Sequence, residues 1–193
     1  MKLVVVKYNA GNTGSVINAL DRLNYKAEIT ADPERILAAD KVIFPGVGEA
    51  ATTMRFLEES GLDRLLPSLT CPFLGICLGM QLMCKGSEEG NTPTLGIFRE
   101  EVLRFRGPVK VPHMGWNQIS NTGSPLFKGL SQEAWVYFVH SYYAETGVDT
   151  IATCDYGGPF SAALGRENFY GVQFHPEKSG KAGLKILENF LLI

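Results

Sequence analysis

Cys77 lies in Gly75-Ile76-Cys77-Leu78-Gly79, between an apolar run from Pro72 to Ile76 and a helix-compatible segment from Leu78 to Lys85. A buried strand turning sharply into a helix presents one reactive side chain at its tip, the layout of a nucleophile elbow. The flanking glycines let such a strained turn pack closely against its neighbours. A helix N-terminus favours a thiolate there. The same pattern also suits a buried structural cysteine. About a hundred residues on, Gln173-Phe174-His175-Pro176-Glu177 supplies a second group. Pro176 keeps His175 out of the helical region. In extended chain, residues i and i+2 share a side. Glu177 can then hold the His175 tautomer while Nε2 faces a thiol, which is nucleophile, base and orienter logic. Read alone, the tripeptide is equally an ordinary strand end.

A third element is Pro45-Gly46-Val47-Gly48, at the end of a predicted strand. Ligands of open α/β sheets bind at such ends, and glycines free the backbone to aim N–H groups at a developing oxyanion. A plain turn is the alternative. A phosphate loop is disfavoured because no Lys-Ser/Thr follows. His113 and His140 have no carboxylate at i+2, and three histidines with four cysteines show no zinc-ligand spacing, so a structural or interface role is expected for both, and no metal. Cys84 shares roughly the helix face of Cys77 and reads as packing, as do Cys71 and Cys154.

These groups need a scaffold that brings residues 45–48, 77 and 175–177 together. Strands are predicted over residues 2–6, 26–30, 41–44 and 72–76. Helices are predicted over 12–23, from Pro33 behind an Asp32 N-cap, over 49–59 and 62–66, and over 78–85. This alternation argues for a parallel sheet with helices on both faces. Beyond Leu95 the pattern becomes strand-rich, with strands predicted over 97–105, 116–120, 136–139, 151–154, 161–164 and 169–174 and a closing helix over 179–192. One mixed sheet with an antiparallel extension follows, in one domain over residues 1–193 with no linker or repeat.

The 193 residues suffice for one sizeable core. A net charge of −2 argues against capture of nucleic acid or an anionic membrane. No apolar run reaches membrane-spanning length. Four cysteines without a CxxC pair or a secretory signal read as a reducing, cytoplasmic setting.

GICLGMQ at 75–81, PGVG at 45–48 and FHPEKS at 174–179 together resemble the class I, triad-type glutamine amidotransferases. Ser87-Glu88-Glu89, PHMGWN at 112–117 and YFVHSY at 137–142 narrow the likeness to the glutaminase branch that serves imidazole glycerol phosphate synthesis, over essentially the whole chain. The glutaminases of pyridoxal phosphate synthesis share the triad and are the nearest rival; a non-catalytic glutamine-binding protein and a cysteine peptidase or other α/β hydrolase of this fold are the further alternatives. The resemblance implies a flavodoxin-like open mixed sheet flanked by helices, and no cofactor. It implies Cys77 as nucleophile, His175 as base and acid, and Glu177 as orienter. Oxyanion donors would come from Gly46 or Val47 and from Leu78. Gly48, Gln81, Glu89, Ser141 and Tyr142 would hold glutamine, with Glu89 a candidate for its α-ammonium. It further implies a heterodimer with a (β/α)₈-barrel cyclase that receives the ammonia. Expected contacts are Asn12, Met114, Trp116, Tyr137 and Lys178. Because Gly46 makes its loop permissive, the free subunit is expected to rest with that oxyanion donor turned away until the partner shifts it.

Overall fold

The computed structural model describes residues 1–8 and 13–193; Asn12, expected at the interface, lies outside the described residues. The first half runs β1 (Leu3–Val6), α1 (Thr13–Arg22), β2 (Ala27–Thr30), α2 (Pro33–Leu37), β3 (Lys41–Gly46), α3 (Ala50–Ser60), α4 (Leu62–Leu65), β4 (Phe73–Cys77) and α5 (Leu78–Met83). The second half runs β5 (Gly86–Ser87), β6 (Thr92–Pro93), β7 (Glu101–Arg104), β8 (His113–Asn121), β9 (Glu133–His140), β10 (Tyr142–Ala144), β11 (Thr150–Asp155), β12 (Pro159–Arg166), β13 (Phe169–Val172) and α6 (Gly180–Leu192).

β2, β1, β3, β4 and β13 form a parallel core in that order, the strand order of flavodoxin-like folds. Apart from the edge strand β2, its strands are largely buried and apolar on both faces because both are covered. Leu3 and Val5 pack with Val16 and Leu20 of α1 and Ile186 and Phe190 of α6, whereas Val4 and Val6 pack with Ile36, Met54, Leu57 and Met80 from α2, α3 and α5. Beyond β13 the sheet turns antiparallel at β12 and forks. One arm continues through β10 to β7, β5 and β6; the other passes through β11 to the long β8–β9 hairpin.

Asp32 caps α2 as expected, accepting from the Glu34 N–H at 2.9 Å, with Pro33 at the first helical position. Several boundaries differ from expectation, among them the strands expected over 116–120, 136–139 and 161–164, which extend to His113–Asn121, Glu133–His140 and Pro159–Arg166. The strand expected over 41–44 runs through Gly46, because Pro45 and Gly46 still pair with Ile76 and Cys77. The strand expected over 97–105 is confined to Glu101–Arg104. Ile97 and Phe98 are instead buried in a bend, where the Phe98 N–H donates to Met83 O at 2.8 Å, so their apolar character serves the core without a ladder. The strand expected over 169–174 stops at Val172, and the helix expected over 78–85 stops at Met83, with Cys84 extended at its end. The two- and three-residue strands β5, β6 and β10 are too short to leave a periodic signal.

Candidate active site

Cys77 is the last residue of β4 and the N-cap of α5, with φ 52° and ψ −110°. That left-handed backbone is strained for a residue with a Cβ and is held only by its surroundings. Glycines make the hold possible. A Cβ on Gly79 would collide with the Phe44 carbonyl, and one on Gly46 with Gly79 N. One on Gly75 would come within 2.8 Å of Met80 N. The elbow therefore sits directly against β3, where Gly46 is the ladder neighbour of Cys77.

The base arrives from β13. After Val172 the chain enters a short turn at Pro176–Lys178, fastened to β9 by two hydrogen bonds and closed on itself by a third. The His175 N–H donates to Tyr137 O at 2.9 Å, the Tyr137 N–H donates to Ser179 Oγ at 2.9 Å, and that hydroxyl donates to His175 O at 2.7 Å. Within the turn His175 Nδ1 donates to Glu177 Oε1 at 2.9 Å, and both side chains are buried. This bond puts the hydrogen of the neutral ring on Nδ1 and leaves Nε2 as the proton acceptor. Nε2 is buried without a hydrogen-bond partner among the described residues. Burial disfavours the charged ring, but the adjacent Cys77 sulfur and the Glu177 carboxylate outweigh it and push the His175 pKa up to about 10. The Cys77 thiol donates instead to Val139 O at 3.8 Å, while Gln173 Nε2 donates to the sulfur at 3.6 Å.

These groups open on a cavity of about 230 Å³. Its lining gathers Cys77 and His175, the oxyanion candidates Gly46, Val47 and Leu78, and the binding candidates Gly48, Gln81, Glu89, Ser141 and Tyr142. Glu177 stands behind His175. The N–H of Leu78, first residue of α5, has no acceptor within its helix. Val47 differs, because its N–H donates to the Tyr8 phenol oxygen at 3.0 Å and so points away from the cavity. Burial raises the Tyr8 pKa, keeping the phenol neutral. One Glu89 oxygen accepts from the Ala50 N–H at 2.8 Å, capping α3 from outside its own chain segment. Burial raises the Glu89 pKa, with the Ala50 bond opposing and the Glu49 charge assisting. Both amide hydrogens of Gln81 are spent internally, on Tyr142 O at 2.8 Å and Gln173 Oε1 at 2.9 Å, which leaves Oε1 for a ligand.

His113 and His140 form a second histidine site. Their rings are linked Nδ1 to Nε2 at 3.0 Å, among Phe105, Phe138, Tyr156 and Phe160. Burial alone lowers His113 to about 4, and burial with help from His113 and His175 lowers His140 to about 3. The outer face of β8 and β9 presents Met114 (64% exposed), Trp116 (53%) and Trp135 (57%), with Tyr137 half-buried against Trp116 and Lys178 exposed nearby. Tyr8, Gln173, Ser179 and Trp135 were not singled out from the sequence. Gln173 could have been found in the motif that carries His175, whereas nothing in the sequence marks Tyr8.

A cysteine on a strained elbow, sharing a cavity with an imidazole held by a buried carboxylate in a doubly wound sheet, has the layout of the triad-type acyl-transfer enzymes. The family model for glutamine amidotransferase class-I matches residues 4–193, and the chain belongs to that family. The chain is 60% identical to the imidazole glycerol phosphate synthase subunit HisH of Bacteroides fragilis (strain YCH46), over 99% of both chains. It is 48% identical to the subunit of the same name from Mannheimia succiniciproducens, over 98% of both. Among solved structures, a glutamine amidotransferase from Thermotoga maritima superposes with a TM-score of 0.67 at 16% identity, covering 99% of this chain and 82% of its own, which speaks for the fold.

Proposed function

We propose that this chain is the glutaminase subunit of an imidazole glycerol phosphate synthase, releasing ammonia from glutamine for a cyclase subunit. The observation that carries the reading is one small cavity lined by Cys77, by Glu89 and by His175 with Glu177 bonded behind it. Full-length identity to subunits of that name supports the pathway. Cys77 gives its proton to His175 Nε2, and the thiolate attacks the side-chain amide carbon of glutamine. The oxyanion is met by the Leu78 N–H and by the Val47 N–H once it leaves Tyr8. His175 returns the proton to the amide nitrogen, and ammonia departs as the C–N bond breaks. His175 then deprotonates a water, which attacks the γ-glutamyl thioester and frees glutamate and the thiol. Glu177 holds the ring throughout. Base catalysis of this kind is worth roughly 10²–10⁴ in rate, and one oxyanion donor roughly 10²–10³.

Glu89 and Oε1 of Gln81 face the ammonium end of the substrate, with Ser141, Tyr142 and Gly48 closing the cavity. The (β/α)₈-barrel cyclase docks over Met114, Trp116, Tyr137 and Lys178 and completes synthesis of imidazole glycerol phosphate and aminoimidazole carboxamide ribotide; the resemblance adds Asn12 to these contacts. Buried aromatic anchors of this kind dominate interfaces. Four free cysteines suit a reducing cytoplasm, and among the described residues no helix is long and apolar enough to cross a membrane. The test is ammonia release from glutamine with and without a candidate cyclase, with Cys77→Ser as control. Release that depends on Cys77 and rises with the cyclase is expected. Release that Cys77→Ser leaves intact overturns the mechanism, and separate migration of the two proteins on gel filtration overturns the heterodimer.

A further inference from the structure

Gln173 is fully buried and sits two residues before the base, yet the triad does not use it. Its surroundings dictate which way its carboxamide points. Gln81 Nε2 lies 2.8 Å from Tyr142 O and 2.9 Å from Gln173 Oε1. A backbone carbonyl can only accept, so Gln81 must present its NH₂ there, and its second hydrogen then requires an oxygen from Gln173. Turning either amide over would set acceptor against acceptor or leave a buried donor unpaired. The NH₂ of Gln173 is thereby directed at the Cys77 sulfur, 3.6 Å away.

The same constraint extends outward. Tyr142 O also accepts from His140 Nδ1 at 2.7 Å, which makes His140 Nε2 an acceptor for His113 Nδ1 at 3.0 Å. His113 Nε2 in turn accepts from Asn117 at 3.3 Å. Each donor and acceptor from β8 to the sulfur is thus fixed by its neighbour.

We propose that Gln173 is a further catalytic residue: oriented by Gln81, its carboxamide N–H donates to the Cys77 sulfur and stabilises the ionised nucleophile. The proposal rests on Cys77 being the nucleophile of the proposed glutaminase. When the thiol proton passes to His175, the sulfur gives up its bond to Val139 O and becomes an acceptor, and Gln173 is already in place to donate to it. A hydrogen bond to the charged form favours that form, more so where water is excluded. Gln81 acts one step behind, as a positioning residue.

The test is the pH profile of Cys77 alkylation by iodoacetamide, located by mass spectrometry, on the complete chain. Alkylation needs no glutamine, so its outcome is separable from that of the ammonia assay. Gln173→Met is expected to move the profile about one pH unit upward, slowing alkylation about tenfold at a fixed pH below the midpoint. Gln81→Met is expected to move it the same way by less, because Gln173 can then turn over. Superimposable profiles for folded Gln173→Met and the unmutated protein overturn the proposal. Should Gln173→Met fail to fold, the side-chain amide resonances of Gln173 in the unmutated protein decide. A shift that follows the Cys77 profile supports the proposal, and a pH-independent signal overturns it. A shifted profile in a chain that releases no ammonia would retire the glutaminase reading while keeping the role of Gln173 at the sulfur.

Discussion

The molecule buries three histidines in two places and treats them oppositely. His175 is 2% exposed, His113 4% and His140 6%, so burial hardly distinguishes them. His175 is nevertheless pushed up to about 10, while His113 and His140 are lowered to about 4 and 3. The partners make the difference. A carboxylate and a thiol face His175, whereas His113 and His140 face each other, a backbone carbonyl, an amide and aromatic rings. Desolvation opposes charge at both sites, and at His175 hydrogen bonds and charge from the sulfur and the carboxylate reverse its sign. One histidine site is therefore built to hold a proton and the other to route hydrogen bonds.

The largest expected effect separates the two by rate. His175→Asn should lower ammonia release about 10⁴-fold, and Glu177→Gln by a comparable order, since each removes a member of one unit. His140→Phe should lower it less than tenfold. Equal losses at the two sites would break the comparison.

Next comes stability against pH. Unfolded histidines titrate near pH 6.5. Below that, the unfolded chain takes up two protons that folded His113 and His140 refuse until about pH 4 and 3. Stability from these two therefore falls with acidification, by up to about 1.4 kcal/mol per pH unit for each. His175 works the other way: its contribution is complete below pH 6.5 and is lost as pH rises through about 10. Guanidinium unfolding midpoints should peak near neutrality, and His175→Asn should flatten the alkaline limb alone. An alkaline limb unchanged in that variant would contradict the assignment.

His140→Phe should cost about 1–3 kcal/mol in the same measurement, because it leaves the His113 Nδ1 donor buried and unpaired. The smallest effect concerns Tyr8, a phenol kept neutral by its burial. Tyr8→Phe removes the acceptor that holds the Val47 N–H, so ammonia release without a partner should rise by up to about tenfold, the worth of one hydrogen bond. Partner-stimulated release should be unchanged. No gain in the isolated subunit would show that the bond does not restrain the donor.

The sequence carried the parallel half well. Its inner strands are mostly apolar runs and its glycines mark the elbow, so residues 45–48, 77 and 175–177 could be placed at one edge from their order and spacing. The antiparallel half was blurred because Ile97 and Phe98 look like strand residues while serving as buried anchors in a bend. β5, β6 and β10 are shorter than any period. What sequence could not deliver at the site was direction. That Val47 turns to Tyr8, that Gln81 spends its hydrogens inward and that Glu89 caps α3 are contacts across 39 or more residues. Only the folded packing decides them.

The turn that carries His175 hangs from the edge of β9 through Tyr137 and Ser179, and the same strand carries the exposed Trp135 and the Tyr137 ring that packs on Trp116. The proposed chemistry and the proposed docking face thus share one strand, and thermodynamic reciprocity follows. Any factor by which a protein bound to the hairpin changes affinity at the cavity must reappear, undiminished, as the factor by which an occupant of the cavity changes affinity for that protein. Cavity occupancy then becomes a dial on how long the two chains stay together.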